Sequence, residues 1–243
     1  QIIMINTSKI SLGGKMTFSV LTFDENEGVY AAAAATGSLC VGGWVLRGDI
    51  ESGLVASQGT SPSSFWRDDC LRAMYTGQSA SDAVSAAIAK DSGKDYRQII
   101  ALDKDGWASG FTGPKSIAHA SHMTEQNLAI AGNMIDGRHV LNAVKKQVQT
   151  DQAPIEQRML NALVAGKDAG GDNRGLLSAA LLILSPSRPP LDLRIDYSTD
   201  PLSDLQALLD QSKKSPYYDW LSEVPIDLDR NRAPLDANVL TGE

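Results

Sequence analysis

Apolar and polar positions alternate in short blocks along the chain, and the blocks come in pairs. Residues 17–23 and 29–36 are apolar stretches either side of the polar run Asp24-Glu-Asn-Glu-Gly28. This spacing predicts a β-hairpin, since Asn and Gly accept the backbone angles of a tight reversal. The second arm holds five consecutive alanines, Ala31 to Ala35. Alanine favours helix, but a run this short, behind a polar turn and between Val-Tyr and Thr-Gly, reads as a buried strand packed closely by another layer. A further strand is expected over 53–58, after the Gly42-Gly43-Trp44 segment and Gly48-Asp49.

Helical spacing follows. Ser61-Pro-Ser-Ser64 carries helix-start chemistry, and Gly77 ends the first helix after Tyr75. Ser79 or Ser81 caps a second helix running to about Lys90, with Ala83, Val84, Ala87 and Ile88 on one face. A second hairpin is expected over 98–102 and 107–111 around Asp103-Lys-Asp-Gly106. Residues 119–125 read as irregular and 127–131 as a strand. Helices are predicted over 136–150 and 154–166, then strands over 178–184 and 191–197 separated by a 186–190 turn, then a helix over 201–213. Strand pairs alternating with helix pairs do not give the strict order of a doubly wound parallel sheet. They predict an α+β fold, a four-layer αββα sandwich of two antiparallel sheets flanked by helices. The near-continuous apolar strands 29–35 and 178–184 fit sheets buried on both faces.

Composition narrows the picture. The chain has 243 residues, enough for one domain with a substantial core, and aromatic residues are scarce at 6%. A net charge of −7 and a pI near 5.0 argue against nucleic acid or an anionic membrane as partner. Two cysteines, Cys40 and Cys70, make no disulfide framework. No run reaches the ~20 apolar residues of a membrane span, and the apolar patch in residues 1–6 is shorter than the ~7–15 residues of a secretory core. A cytoplasmic location is expected. Residues 1–15 read as a leader or expression-derived extension, or as a propeptide. Residues 16–214 form the domain, and 215–243 a tail wrapping the surface or a partner subunit.

Several short motifs together resemble a known family. They are Met-Thr-Phe-Ser at 16–19, Ala-Gly-Asn-Met at 131–134, Ala-Gly-Gly-Asp-Asn-Arg-Gly at 169–175 with Ser-Ala-Ala-Leu at 178–181, and Leu-Asp-Leu-Arg-Ile-Asp at 191–196. In order and spacing they are similar to an uncharacterised bacterial family assigned to the Ntn-hydrolase (N-terminal nucleophile) superfamily. The resemblance implies the same αββα sandwich and brings no known substrate. Where many family members carry a basic residue after the second strand, this chain has Thr36-Gly37-Ser38.

The resemblance makes Thr17 the expected nucleophile of an amidohydrolase acting on a small amide, once Met16 is removed. The chemistry is physical. A threonine hydroxyl needs a base, and an N-terminal threonine carries one in its own α-amine, whose pKa is about 7.7–8.0. While residues precede Thr17, that nitrogen is an amide and no base. Asn133 and the backbone at Gly132 are candidate oxyanion donors, as are the Gly42-Gly43 and Gly170-Gly171 pairs. Asp172 is a candidate to orient the amine or to cap its own loop. Substrate contacts are expected from Arg47, Gln58, Gly170, Gly171 and Arg174, the last as an anion clamp. His119, His122 and Glu125 have metal-like spacing without a fourth ligand, so no metal and no cofactor is expected. No Gly-x-Ser-x-Gly elbow is present. The expected partners are the amide substrate and a second copy of the chain in a homodimer or higher homo-oligomer. The alternative function is a non-catalytic ligand-binding or interaction protein on the same scaffold.

Overall fold

The computed structural model describes residues 16–170 and 175–234. Two antiparallel sheets lie face to face. The larger contains β1 (Thr17–Asp24), β2 (Val29–Thr36), β7 (Ser121–Glu125), β8 (Leu128–Asn133), β9 (Ser178–Ser185) and β10 (Arg188–Ile195), in the order β10-β9-β2-β1-β8-β7. The smaller is β3 (Leu46–Asp49), β4 (Gly53–Gly59), β5 (Arg97–Asp103) and β6 (Ala108–Thr112), in that order. Helices α4 (Arg138–Thr150), α5 (Ile155–Asp168) and α6 (Pro201–Ser212) cover the larger sheet. Helices α2 (Ser64–Tyr75) and α3 (Ala80–Ala89) cover the smaller. A single helical turn, α1 (Val41–Trp44), follows β2, and another, α7 (Tyr217–Trp220), follows α6. Among the described residues no helix is long and apolar enough to cross a membrane.

The period of two along each strand assigns its side chains to two cores. In β1, Phe18 and Val20 join the helix-facing core, while Leu21 joins the core between the sheets. In β2, Ala31, Ala33 and Ala35 face the helices, and Ala32 and Ala34 face the other sheet. The alanine run is thus a strand squeezed between two layers, with both faces fully buried. Gly166 of α5 makes the same close approach from the helix side. A Cβ there would sit 2.7 Å from the Phe18 ring and 2.9 Å from Val144.

Three strands depart from the expected pattern. Residues 119–125, expected to be irregular, contain β7, which pairs with β8 through a two-residue turn in which Asn127 takes φ 64°. Its sequence, Ser-His-Met-Thr-Glu, is polar because it is an edge strand, so hydrophobic periodicity does not reveal it. β3 was likewise hidden in a short Leu-Arg-Gly-Asp segment; Asp49 holds its turn by accepting from the Glu51 N–H and the Ser52 hydroxyl. β10 begins at Arg188, inside the expected 186–190 turn. Pro189 and Pro190 fall at a register irregularity on an edge strand, where a missing N–H costs no ladder bond. In the tail, Leu228 donates to the Pro186 carbonyl, which pins residues near 228 to the β9–β10 turn.

Candidate functional site

One end of the space between the sheets is polar, and it is the end at which β1 begins. Thr17 pairs with Thr36 on one side and with Asn133 on the other, and Thr36 pairs with Ser178. The inward-facing positions that are Leu or Ala deeper in these strands are hydroxyls and amides here. The smaller sheet matches them: Gln58 and Gln98 are register partners across β4 and β5, and Gln98 pairs with Thr112 of β6.

These side chains form one continuous hydrogen-bonded network. The Thr17 and Thr36 hydroxyls are 2.8 Å apart. Ser19 Oγ donates to Gln58 Oε1 at 2.7 Å, and Gln58 Nε2 donates to Gln98 Oε1 at 2.7 Å and to the Thr17 carbonyl at 3.4 Å. Gln98 Nε2 reaches Thr112 Oγ1 at 2.8 Å, the Ser121 carbonyl at 3.0 Å and the Gly132 carbonyl at 3.1 Å. Asn133 Nδ2 donates to Gln98 Oε1 at 3.3 Å. Thr112 Oγ1 lies 2.8 Å from His122 Nδ1. Ser19, Gln58, Gln98 and Asn133 are buried, while Thr17 is half-buried. One atom of this network lacks a partner among the described residues: Asn133 Oδ1 is fully buried and accepts from none of them. A buried acceptor without a donor costs on the order of 1–3 kcal/mol.

Of the residues expected to form the site, Thr17, Gln58 and Asn133 come together here. The free atom of Asn133 is an acceptor, and one Nδ2 hydrogen is spent on Gln98, so the side chain in this arrangement is suited to hold an N–H group better than an oxyanion. Arg47 lies apart from the network. It sits on β3 at register with Val55, whose side chain packs under α2, and its own hydrogen bond is to the Leu46 carbonyl. Burial, then the neighbouring Arg67, lowers its pKa. Gly170 ends the α5 segment with φ 150°, against Asp136, Val140 and His139. Gly171, Asp172 and Arg174 lie outside the described residues. Gly42 and Gly43 are glycines because Arg194 packs on them: an added Cβ would meet its side chain at 2.9 Å and 2.6 Å respectively.

His119, His122 and Glu125 do not converge on a common point. His119 Nε2 is 3.1 Å from Ser121 Oγ, His122 is bonded to Thr112, and Glu125 pairs with Lys145. Sequence reasoning missed Ser19, Thr36, Gln98, Thr112 and Ser121. Ser19 and Thr36 carried a signal, as polar residues at inward positions of apolar strands, whereas the roles of Gln98, Thr112 and the Ser121 carbonyl follow from strand register.

Fold and site together define an α+β protein of αββα layer order, with a threonine at the head of its first inner strand and an amide-rich network behind it. The αββα layer order is the one that the Ntn-hydrolase resemblance implied. Residues 17–205 match the family of unknown function DUF1028, and the chain belongs to that family. It is similar to SPO2555 of Silicibacter pomeroyi, a DUF1028 protein whose crystal structure shares 42% identity, with a TM-score of 0.85, over 90% of this chain and 99% of that one. The crystal structure of HslV from Trypanosoma brucei aligns with 69% of this chain and 99% of that one, at 10% identity and a TM-score of 0.41. No functionally curated protein matches.

Proposed function

We propose that the protein is an amidohydrolase of the Ntn type acting on a small amide, with Thr17 as nucleophile after the Met16–Thr17 bond is broken. The observation that carries this reading is the placement of Thr17: half-buried at the polar end of the inter-sheet space, its hydroxyl 2.8 Å from Thr36 Oγ1 and its strand partner Asn133 holding an unused acceptor. In the reaction the freed α-amine takes the hydroxyl proton as Oγ1 attacks the amide carbonyl. The carbon–nitrogen bond of the substrate breaks, the proton passes to the leaving amine, and an ester on Thr17 remains. Water, deprotonated by the same amine, hydrolyses that ester. Asn133 Oδ1 accepts from the α-amine and fixes its position. Gly37 N–H, which now donates to the Met16 carbonyl at 3.0 Å, is released when Met16 leaves and becomes a backbone donor beside the nucleophile.

One observation favours a second reading, a non-catalytic ligand-binding or interaction protein on the same scaffold. The Met16 side chain is fully buried in the helix-facing core, so its loss vacates a core position. The two readings separate in one experiment. Protein beginning at Thr17 and protein retaining Met16 are each assayed on a panel of N-acyl amino acids and short acyl-peptides, by the appearance of free amine. Hydrolysis is expected only in the Thr17-first form, and Thr17→Ala should lose on the order of 10³-fold or more. Equal rates in both forms, or full activity in Thr17→Ala, would refute the catalytic reading.

A further inference from the structure

The larger sheet ends at β10, and that edge is open. Among the edge strands of the two sheets, β6 and β7 are tied to each other by the Thr112–His122 contact, and β3 is only Leu46–Asp49. β10 is the long edge that remains. Leu191–Ile195 pairs with β9 on one side. Among the described residues no other group hydrogen-bonds the backbone of this segment. In an antiparallel edge, alternate residues turn their N–H and C=O outward, so a row of donors and acceptors stands unused. The tail passes beside the β9–β10 turn, where Leu228 N–H reaches the Pro186 carbonyl and Arg230 approaches Glu51, and it makes no hydrogen bond to this row.

The two faces of β10 differ in chemistry. Leu191, Leu193 and Ile195 lie on the helix-facing side and pack into the core beneath α6. Asp192 and Arg194 lie on the other side. Asp192 has no hydrogen bond or ion pair among the described residues. Arg194 packs on Gly42 and Gly43, its Nη2 is 3.2 Å from Asp196 Oδ1, and its Nε is buried without a partner among the described residues. Exposed apolar side chains flank both ends of the strand. Leu39, Trp44 and Tyr197 are exposed at its far end, where Cys40 N–H donates to the Asp196 carbonyl. At its near end Pro189, Pro190, Tyr217 and Tyr218 line a hollow of about 280 Å³. Exposed apolar groups gathered beside an unpaired edge mark a contact surface.

We propose that two copies of the chain pair through β10, antiparallel about a two-fold axis at Leu193, joining their larger sheets into one. The register follows from the faces and the charges. Layers that run on across the junction keep helix-facing residues opposite helix-facing ones, which allows only shifts by two residues. With Leu193 opposite its own copy, Asp192 stands opposite Arg194 of the partner subunit, and the symmetry makes this pair twice. Centring on Asp192 sets two aspartates face to face. Centring on Arg194 sets two arginines face to face and Asp192 against Asp196 of the partner subunit, so both neighbouring registers are repelled. On the helix-facing side Leu193 meets its own copy and Leu191 meets Ile195 of the partner subunit, which continues the core across the junction. Tyr197 of the partner subunit comes level with the Pro189–Pro190 pair and fills the hollow beside Tyr217 and Tyr218. The prolines lack N–H groups, which confines the ladder to Leu191–Ile195. None of this depends on chemistry at Thr17, which lies on β1, beyond β9 and β2 in the same sheet.

Sedimentation equilibrium of the full chain, from about 1 to about 100 μM, reads the association. The wild type should sediment as a dimer of the 25.9 kDa chain. Asp192→Arg and Arg194→Asp each set like charges against each other twice and should weaken association about a hundredfold. An equimolar mixture of the two variants restores both opposite-charge pairs across the junction and should recover the dimer, which separates a lost contact from a damaged fold. Tyr197→Ala should weaken association about tenfold. A monomeric wild type throughout the range, single variants that associate as the wild type does, or a mixture that stays monomeric would each overturn the β10 pairing. Unchanged association in Tyr197→Ala would overturn the placing of that ring in the hollow.

Discussion

Gln98 uses two side-chain atoms to hold five partners, two from the neighbouring strands of its own sheet and three from the opposite sheet. Replacing it with leucine strands Asn133 Nδ2, Gln58 Nε2 and two backbone carbonyls in a buried space. At ~1–3 kcal/mol per unsatisfied group, with partial relaxation, the expected loss is about 3 kcal/mol; urea unfolding of Gln98→Leu reads it directly, and a loss below ~1 kcal/mol contradicts the network. His122 supplies a pH signature. Its folded pKa lies below the ordinary 6.5, so on acidification the unfolded chain binds the proton first. Its contribution to stability is complete above about pH 6.5 and is lost as the pH falls through the lower folded value. Thermal unfolding between pH 7.5 and 5 should therefore decline more steeply in the wild type than in His122→Gln; parallel curves would contradict the assignment. Cys70 is buried, and burial pushes its thiol up to about 12, so alkylation of the native protein should spare it and mark the more exposed Cys40. Modification of Cys70 at a rate matching Cys40 would show that the α2–α3 layer opens readily.

The helix-facing side of β1, with α4 beside it, sets a limit on what α5 can carry. Helix propensity alone says that Gly166→Ala should stabilise by about 1 kcal/mol. The structure says the reverse, because the new methyl would press on Phe18 and Val144, both fully buried. A net loss of about 1–3 kcal/mol is expected in denaturant unfolding, and a gain would show that the layers can separate at little cost. The same element explains what was legible in the sequence. The β1–β2 hairpin, the α2 and α3 starts and the α4–α5 pair announce themselves through turn residues, caps and apolar stripes; Ser63 and Ser79 do accept the N–H groups of Trp66 and Asp82. β3 and β7 gave no such signal, because an edge strand buries little and need not alternate. For the site, Thr17, Gln58 and Asn133 were readable from position and resemblance. Gln98 and Thr112 were not, since their roles follow from strand register, which the local pattern leaves open.

At the scale of the whole molecule, three apolar layers stabilise the sandwich, and one end of the middle layer is given over to polar groups. Burial of hydroxyls and amides there brings little stability that leucine and alanine would not supply, and it leaves Asn133 Oδ1 without a donor. That pattern fits a site more closely than a core. Everything chemical in the account then depends on one atom, Thr17 Oγ1, becoming a nucleophile when its neighbouring nitrogen becomes an amine. The direct measurement uses protein whose first residue is Thr17, made by specific proteolysis of a fusion, beside protein that retains Met16. Each is treated with a β-lactone as a strained acyl donor, and the adduct is located by peptide mass mapping. A single acyl group on Thr17 in the first form and none in the second is the predicted result. Labelling that ignores the state of the Thr17 nitrogen, or that never falls on Thr17, would contradict the account.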